Sequence, residues 1–241
     1  MAQYIYGRNT SKEKLNSDEN IEEAYILESL KDDSIISLLN KKKIKTIRCN
    51  RAKLDKLVNN SFHQGIILKV KEYKTCDINE IIENNKDNEN SLLLILDGVV
   101  DPHNVGAILR TSEAIGVNGV IIPKNNSAPL NATVAKTSTG AIELVPIAKV
   151  TNLTQTITKL KDAGYWIVGA EAKESVDYRQ VDYRGKIALV LGSEGYGISR
   201  LVLENCDHRV RLPMVGKITS LNVSVATAIL LYQVYNSRNP L

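Results

Sequence analysis

The stretch KIALVLGSEGYGISR, residues 186–200, runs an apolar strand directly into a turn that contains three glycines. A strand followed by a glycine-rich turn is typical of dinucleotide-binding folds, where the glycines stand in the order G-x-G-x-x-G. Here Gly192, Gly195 and Gly197 stand in the order G-x-x-G-x-G. Glu194 occupies the place where a pyrophosphate would approach the backbone, and its carboxylate would repel that group. The spacing therefore argues against a nicotinamide dehydrogenase and predicts a turn built for another ligand.

The residues around this stretch, from 92 to 241, repeat a pattern of short apolar strand and helix. The strand-like segments are SLLLILDG, VNGVIIP, GYWIVGAEA and KIALVLGS. The segments between them, HNVGAILRTSEAIG, NATVAKTSTGA and TNLTQTITKLKDAG, suit helices. Strands that are apolar throughout and alternate with helices predict an α/β fold with a parallel sheet covered on both faces. A ligand is expected at the carboxyl ends of the strands, where GSEGYG stands.

The first 74 residues predict a small α/β unit of their own. IKTIRCN and QGIILKVKEY have the pattern of strands, IEEAYILESL that of a strand or helix, and DDSIISLLNKK and RAKLDKLVNN that of helices. The next segment, KTCDINEIIENNKDNENS, ends in Asn, Asp, Glu and Lys residues that cannot bury apolar surface. We therefore predict domains at residues 1–74 and 92–241, joined by a linker at residues 75–91.

The composition indicates a chain with two modest cores and no membrane anchor. It has 241 residues, of which 43% are hydrophobic. No apolar run reaches the roughly eighteen residues of a membrane span, and the polar N-terminus does not resemble a secretory signal. The three cysteines form no C-x-x-C pair, and only three histidines accompany them. This composition predicts a cytoplasmic protein with no metal site.

The positive charge is concentrated in the first part of the chain. Residues 1–74 carry 15 Lys and Arg against 10 Asp and Glu, a balance of +5, whereas residues 75–241 carry 16 against 17, a balance of −1. Five of the basic residues form one run: Lys41, Lys42, Lys43, Lys45 and Arg48. Such a run is the pattern expected of a contact with an RNA backbone, and on charge alone a solvated basic face explains it equally well.

The segment SLNVSVATAILLYQVYNSR, residues 220–238, predicts a C-terminal helix that begins near Ser220 or Asn222 and ends at about Tyr235. Its apolar residues spread around the whole circumference, so every side of the helix must be covered. Either its own domain or a second subunit could do this. In a domain of this size we favour a second subunit over one side, which predicts a homodimer.

Three polar clusters accompany these elements, and each has an ordinary structural explanation. Asp101 or Asn104 could cap a helix, GSEGYG could be a tight turn with a solvent-facing carboxylate, and Ser220 or Asn222 could cap the last helix. Together the explanations are insufficient, because every cluster follows a strand or opens a helix. Those are the positions where an α/β domain builds its site.

The three clusters resemble a known family. DPHNVGAILRTSEAIG, LVLGSEGYGIS and LPMVGKITSLNVSVATAI are similar, in order and spacing, to the three motifs of the SpoU (TrmH-like) RNA ribose 2′-O-methyltransferases. YIYGRNTSKEKL and RAKLDKLVNNSFHQGIILKV resemble the L30e-like substrate-binding domain of many members. The resemblance implies a trefoil-knotted SPOUT catalytic domain that uses S-adenosylmethionine, with a site completed across a dimer.

The same resemblance implies roles for individual residues. The positions that match the family's functional ones are Asn104, Arg110, Glu194, Ser220 and Asn222. The positions that match its cofactor-binding backbone are Leu191, Gly192, Leu212, Met214 and Leu221. Arg110 is sometimes assigned as a general base in the family, but a guanidinium stays protonated, which favours charge stabilisation and phosphate clamping. Asn222 and Ser220 are expected to hold Arg110 or the ribose, Asn104 to contact the RNA or Arg110, and Glu194 to join the hydrogen-bond network.

The resemblance leaves the RNA substrate with several alternatives. The opening IYGRNTSKEKL and the HQGI segment at residues 63–66 are most similar to members that methylate a guanosine of 23S rRNA, which is the substrate we predict. A tRNA 2′-O-methyltransferase and an antibiotic-resistance enzyme acting on a 23S rRNA adenosine are alternatives within the family. A non-catalytic RNA-binding protein is the alternative outside it. Tyr196 departs from the family pattern, because that position is often charged or polar.

Overall fold

The chain divides after Tyr73 into two units in the computed structural model, which describes residues 3–17, 21–59, 62–70 and 73–240. The first unit comprises the described residues up to Tyr73, and the second nearly all of those that follow. The predicted helix end at Asn60 and the predicted strand residues 71–72 lie outside the described residues.

The first unit alternates strands and helices along its whole length. Its elements are β1 (Gln3–Tyr6), α1 (Arg8–Ser17), β2 (Ile21–Leu27), α2 (Asp33–Lys41), β3 (Lys45–Cys49), α3 (Arg51–Leu57) and β4 (Ile66–Val70). The side chain of Asp32 accepts a hydrogen bond from the backbone N–H of Ile35 and so caps α2, and Asn50 caps α3 in the same way through Lys53.

A four-stranded mixed sheet organises this unit. The strand order is β1-β4-β2-β3, with β2 and β3 parallel and the other pairs antiparallel. Leu15, Ile35 and Leu39 of α1 and α2 are buried on one face of the sheet, whereas Leu54 of α3 is buried on the other. The sequence predicts a small α/β unit here, which agrees with this layout.

The second unit is longer, and helices connect many of its parallel strands. Its elements are α4 (Ile78–Asn84), β5 (Leu92–Asp97), α5 (Pro102–Ile115), β6 (Gly119–Pro123), α6 (Ala132–Thr137), β7 (Ile147–Val150), α7 (Leu153–Asp162), β8 (Trp166–Ala170), β9 (Val176–Asp177), β10 (Ile187–Gly192), α8 (Arg200–Glu204), β11 (His208–Arg211) and α9 (Val223–Arg238).

The seven strands form one sheet in the order β7-β6-β5-β10-β8-β11-β9, and every neighbouring pair is parallel. Residues 92–96 of β5 are all buried, as expected of a central strand covered on both faces. Ile157 of α7 and Val202 of α8 are buried in the core cluster of one face. α5 and α9 pack against each other, and α9 also contacts β10. The predicted parallel sheet is confirmed.

The predicted linker at residues 75–91 differs from the structure in its first half. Residues 78–84 form α4, and its Ile78 and Ile81 are buried in the core of the second unit. Adding a Cβ to Gly119 would bring it within 2.9 Å of Ile81, so the helix lies tightly against β6. The physical reason is that three isoleucines at helical spacing outweigh the polar residues between them. Only the Asn-, Asp- and Glu-rich second half forms turns and exposed loop.

α9 begins where the sequence predicts and extends three residues further, to Arg238. Leu230, Leu231 and Val234 are buried on the side that faces its own unit. Val225 and Tyr232 are 47% and 50% exposed on the other side. One chain therefore covers only part of this apolar helix. Among the described residues, no helix is both long enough and apolar enough to cross a membrane.

Candidate active site

Two loops meet at one edge of the sheet because β5 and β10 are adjacent and parallel. Their paired residues run from Leu92 with Ile187 to Asp97 with Gly192, so both strands end at the same level. Gly98, in the left-handed region at φ +77°, turns the chain away after β5. The polar residues that follow each strand are thereby brought to the same edge, as the sequence predicts.

The turn after β10 is closed on itself. Ser193 and Gly197 exchange two backbone hydrogen bonds, of 3.0 and 2.9 Å. A Cβ at Gly192 would lie 2.0 Å from the carbonyl carbon of Gly197, a distance that no side chain can occupy. Gly192 is therefore required by the close approach of two backbone segments. Glu194 and Tyr196 project from this turn, and the Tyr196 side chain is 97% exposed.

A cavity of about 540 Å³ opens between the two loops. Its lining includes three carboxylates, Asp97, Asp101 and Glu194, and its lining residues include no lysine or arginine. Asp97 also accepts a hydrogen bond from the backbone N–H of Ser199 at 2.8 Å, which ties the end of β5 to the end of the glycine turn. Such a lining disfavours phosphate and suits a neutral or cationic ligand.

Three side chains from three separate motifs form one hydrogen-bonded cluster at this cavity. Asn104 Nδ2 donates to Glu194 Oε1 at 3.1 Å, and Asn222 Nδ2 donates to the same oxygen at 2.6 Å. Asn222 Nδ2 also lies 2.9 Å from Asn104 Oδ1. Glu194 Oε1 thus accepts from two amides, while its Oε2 accepts no hydrogen bond from the described residues. The two amides fix the carboxylate and leave one oxygen available.

Each member of the cluster is positioned by its own element. Asn104 is buried in the first turn of α5, whose N-cap is Asp101. Asn222 is the N-cap of α9, and its Oδ1 accepts hydrogen bonds from the backbone N–H and the hydroxyl of Ser224. These bonds orient the amide so that its Nδ2 faces Glu194. The sequence predicts both capping and a functional role for Asn222; its Oδ1 makes the capping contact, and its functional role stays a prediction.

The structure does not bring Arg110 or Ser220 into this cluster. Arg110 lies six residues after Asn104 on α5, about 9 Å further along the helix axis and rotated by about 240°. Its side chain is exposed, does not line the cavity, and makes no hydrogen bond or ion pair with a described residue. Ser220 is exposed in the loop before α9 and likewise makes no such bond. The expected contact between Asn222 and Arg110 is therefore not present within one chain.

None of the predicted cofactor positions is in the lining of the cavity. Leu191 is buried at the end of β10, and Gly192 closes the turn that follows. Leu212, Met214 and Leu221 belong to the irregular loop between β11 and α9. This loop leads the chain from the β11 side of the sheet to α5, on which α9 packs.

The basic run in the first unit is only partly available to a partner. Lys45 Nζ lies 2.6 Å from Glu23 Oε1 on the neighbouring strand, which neutralises it locally. Arg48 Nη1 donates to the backbone carbonyl of Glu28 at 3.2 Å. Lys41 and Lys43 are exposed at the end of α2, and Lys42 forms its C-cap.

Two family models match the chain. The model described as "SpoU rRNA Methylase family" matches residues 91–232, and the one described as "RNA 2'-O ribose methyltransferase substrate binding" matches residues 4–76. The chain belongs to the SpoU rRNA methylase family. The three motifs of the sequence analysis and the cluster that they form lie within the first of these matches, and the substrate-binding match corresponds to the first unit.

Two similar proteins that match almost the whole length of this chain support its membership of the SpoU family. A Staphylococcus haemolyticus protein named for the TrmH family of tRNA/rRNA methyltransferases is 46% identical over 239 residues, which cover 98% of this chain and 96% of that protein. YacO of Bacillus subtilis, named for the same family, is 42% identical over 241 residues with the same coverage.

Solved structures share the fold. AviRb of Streptomyces viridochromogenes, a SpoU methyltransferase solved with AdoMet, is 21% identical and matches 99% of this chain and 91% of its own with a TM-score of 0.64. The TrmH/SpoU tRNA modifying enzyme of A. aeolicus is 35% identical, and the match covers 67% of this chain and 82% of that enzyme with a TM-score of 0.58. The predicted SPOUT fold class, with a two-unit layout, is thereby confirmed.

Sequence reasoning missed some members of the site. Asp97 and Ser224 are not among the predicted residues, although Asp97 ends a buried strand and Ser224 stands two residues after the cap. Both could have been found by asking which polar groups must satisfy the backbone where a strand ends or a helix begins. Among the described residues, no group of three or more His, Cys, Asp and Glu side chains is arranged to hold a metal ion.

Proposed function

We propose that this member of the family transfers a methyl group from S-adenosylmethionine to a ribose 2′-hydroxyl of RNA. The observation that carries the proposal is the cluster of Asn104, Glu194 and Asn222. It draws one residue from each of three motifs, separated by up to 118 positions, to the edge of a single cavity. Capping and turn formation alone require no contact among them.

The residues present suit this methyl donor. The cavity has three carboxylates and no cation in its lining, which fits a positively charged sulfonium better than a pyrophosphate. Because no side chain fits at Gly192, the turn presents backbone atoms rather than side-chain atoms at this position. We propose that the backbone at Leu191, Gly192, Leu212, Met214 and Leu221 holds the cofactor. When bound, it supplies an electrophilic methyl group.

The chain's own residues then have to position and activate a weak nucleophile. A ribose hydroxyl near neutral pH needs its proton accepted or its developing negative charge stabilised. Glu194, held through Oε1 by two amides, offers Oε2 as a hydrogen-bond acceptor at the cavity. Arg110 remains a cation throughout, so we assign it to stabilising the alkoxide or clamping a phosphate. Ser220 is assigned to contacts with the ribose.

Arg110 is exposed and distant along α5, so we propose that a homodimer completes the site. The exposed side of α9 supplies the apolar surface for this contact, through Val225, Tyr232 and Tyr235. A twofold interface of this kind brings a face of one protomer against the same face of the other. Arg110 of one protomer would then complete the cluster of its partner.

We propose 23S rRNA, at a guanosine, as the substrate, with tRNA as the alternative. The tRNA modifying enzyme of A. aeolicus aligns with 67% of this chain, whereas the rRNA methyltransferase of Sinorhizobium meliloti aligns with all of it. This difference supports an additional RNA contact by the first unit, to which Lys41, Lys42, Lys43, Lys45 and Arg48 would contribute salt-dependent affinity.

An RNA substrate and three free cysteines favour a cytoplasmic location.

The test is methyl transfer by the purified full chain to 23S rRNA and to tRNA, followed by mapping of 2′-O-methyl sites. The same sites are mapped in RNA from cells with and without the gene. A guanosine of 23S rRNA that loses its methyl group without the gene is the expected result. Loss at a tRNA position or at an rRNA adenosine would favour those alternatives. RNA binding without any methyl transfer would leave only the non-catalytic function.

A further inference from the structure

A second cavity, of about 490 Å³, lies wholly within the first unit. We propose that it holds one unpaired nucleotide of the RNA substrate, with the base on the ring of Phe62 and the adjoining phosphate at Arg8 and Arg51. The inference rests on the proposed function for its RNA substrate. It adds a site of specificity in the first unit, formed by residues other than those proposed for methyl transfer.

Phe62 is the feature that points to a base. It is the only phenylalanine of the chain, and 80% of its side chain is exposed at the cavity. Burial of an apolar side chain ordinarily stabilises a protein, and a phenylalanine ring left in water forgoes that stabilisation. Proteins that bind single-stranded RNA use such rings as platforms on which bases stack. An unpaired base would cover the exposed ring.

Two arginines give the same cavity its positive charge. Arg8 is fixed beside it, because its backbone N–H donates to Gln64 Oε1 at 2.8 Å and its Nε donates to the Gln64 carbonyl at 3.3 Å. Arg51 Nε lies 3.9 Å from Asp55 Oδ2, an ion pair too long for a hydrogen bond. The terminal nitrogens of both guanidinium groups therefore remain available for a phosphate, as far as the described residues are concerned.

The wall of the cavity is preorganised. His63 is buried, with Nε2 3.0 Å from Asp55 Oδ1 and with Nδ1 accepting a hydrogen bond from the backbone N–H of Gly65 at 3.0 Å. These bonds engage the one carboxylate of the cavity lining and hold the turn that directly follows Phe62. A wall that is already ordered avoids an entropic cost on binding. An acidic peptide could use the arginines but would give the exposed ring no role, so we favour a nucleotide.

The experiment measures binding of a labelled ten-nucleotide unstructured RNA to the full chain by fluorescence anisotropy over a range of salt concentrations. Phe62→Ala should weaken binding about 5- to 100-fold, as for other stacking platforms, whereas Phe62→Tyr should retain most of the affinity. Arg51→Gln should lower the slope of log affinity against log salt by about 0.7. Lys31→Gln removes one exposed charge from the same unit outside the cavity and is the matched control.

Several results would overturn the inference. One is Phe62→Ala binding RNA as tightly as wild type while melting at the same temperature. A second is equal effects of Arg51→Gln and Lys31→Gln on the salt slope, and a third is Phe62-dependent binding of a labelled poly-glutamate peptide in place of RNA. S-adenosylmethionine binding and methyl transfer are measured on the same preparations. Their absence in wild type would refute the proposed function, while a Phe62-dependent RNA affinity would still support the nucleotide site.

Discussion

Asn222 Nδ2 lies 2.6 Å from Glu194 Oε1, and this bond joins the N-cap of α9 to the turn that follows β10. The amide therefore has two tasks at once. Its oxygen satisfies the first turn of a helix, and its nitrogen orients a carboxylate at the cavity. Because different atoms perform the two tasks, substitutions can separate them.

Asn222→Ser should keep the cap and lose the bond to Glu194. A serine oxygen caps a helix about as well as an asparagine oxygen, but it cannot reach as far. We expect near-native stability and at least about a tenfold loss of methyl transfer, which corresponds to about 1.4 kcal/mol. Asn222→Ala should lose the same activity and also about 1 kcal/mol of stability. Thermal denaturation and methyl-transfer assays measure both; full activity in the serine variant would contradict the assigned role.

Arg110→Ala should abolish most of the methyl transfer without loss of stability, because the side chain is exposed and bonds to no described residue. Removing one group that stabilises developing charge typically lowers the rate about 100- to 1000-fold. Arg110→Lys keeps a cation and should recover part of that rate. Arg200→Gln, a charge loss at an exposed pair with Glu204, serves as the control. An Ala variant as active as wild type would remove Arg110 from the mechanism.

Gly192→Ala should destabilise the protein by about 3 kcal/mol, at the upper end of what overpacking costs. The added Cβ would lie 2.0 Å from backbone atoms of Gly197, which cannot move without opening the turn. Gly195→Ala is the matched control three residues away, since nothing lies within 4 Å of its added Cβ. Denaturant titration compares the two. Equal stabilities would mean that the close approach of the two backbones is not essential.

Tyr232→Glu should shift the protein from dimer to monomer. The substitution puts a carboxylate in the centre of the exposed apolar side of α9, where it would be desolvated against the partner. Leu144→Glu changes a residue that is 69% exposed elsewhere in the second unit and should leave the assembly intact. Sedimentation velocity at micromolar concentration distinguishes the species. A wild-type monomer under those conditions would refute the proposed dimer.

Glu23 should stabilise the first unit in a pH-dependent way. Hydrogen bonds from Lys45 and then Tyr25 lower its pKa from 4.5 to about 2. A carboxyl with a lowered pKa contributes its full stability above its unfolded pKa and loses it as the pH falls toward 2. Glu23→Gln should therefore melt below wild type at pH 7, with the difference shrinking between pH 4.5 and pH 2. Glu89→Gln, which changes an exposed carboxylate that forms no ion pair with a described residue, is the control.

The sequence predicted the elements that have a strong local pattern. The apolar strand at residues 92–96 and the glycine turn after β10 are set by side chains adjacent in the chain. The pattern failed at residues 78–84, where the surrounding polar residues suggested a linker. Whether Ile78 and Ile81 are covered depends on β6 and β7, which lie far along the chain, so composition alone could not reveal the burial.

Three features of this protein follow from the sequence alone: a turn whose carboxylate disfavours phosphate, an asparagine that caps a helix, and a last helix that is apolar. Which of these features meet depends on how distant elements pack. The strand order sets β10 beside β5, and the packing of α9 on α5 carries Asn222 to Asn104 and Glu194. Arg110, in contrast, does not join Asn104, Glu194 and Asn222 within one chain. It shares a helix with Asn104, but helical geometry turns it to another side, because 3.6 residues per turn do not align positions six apart.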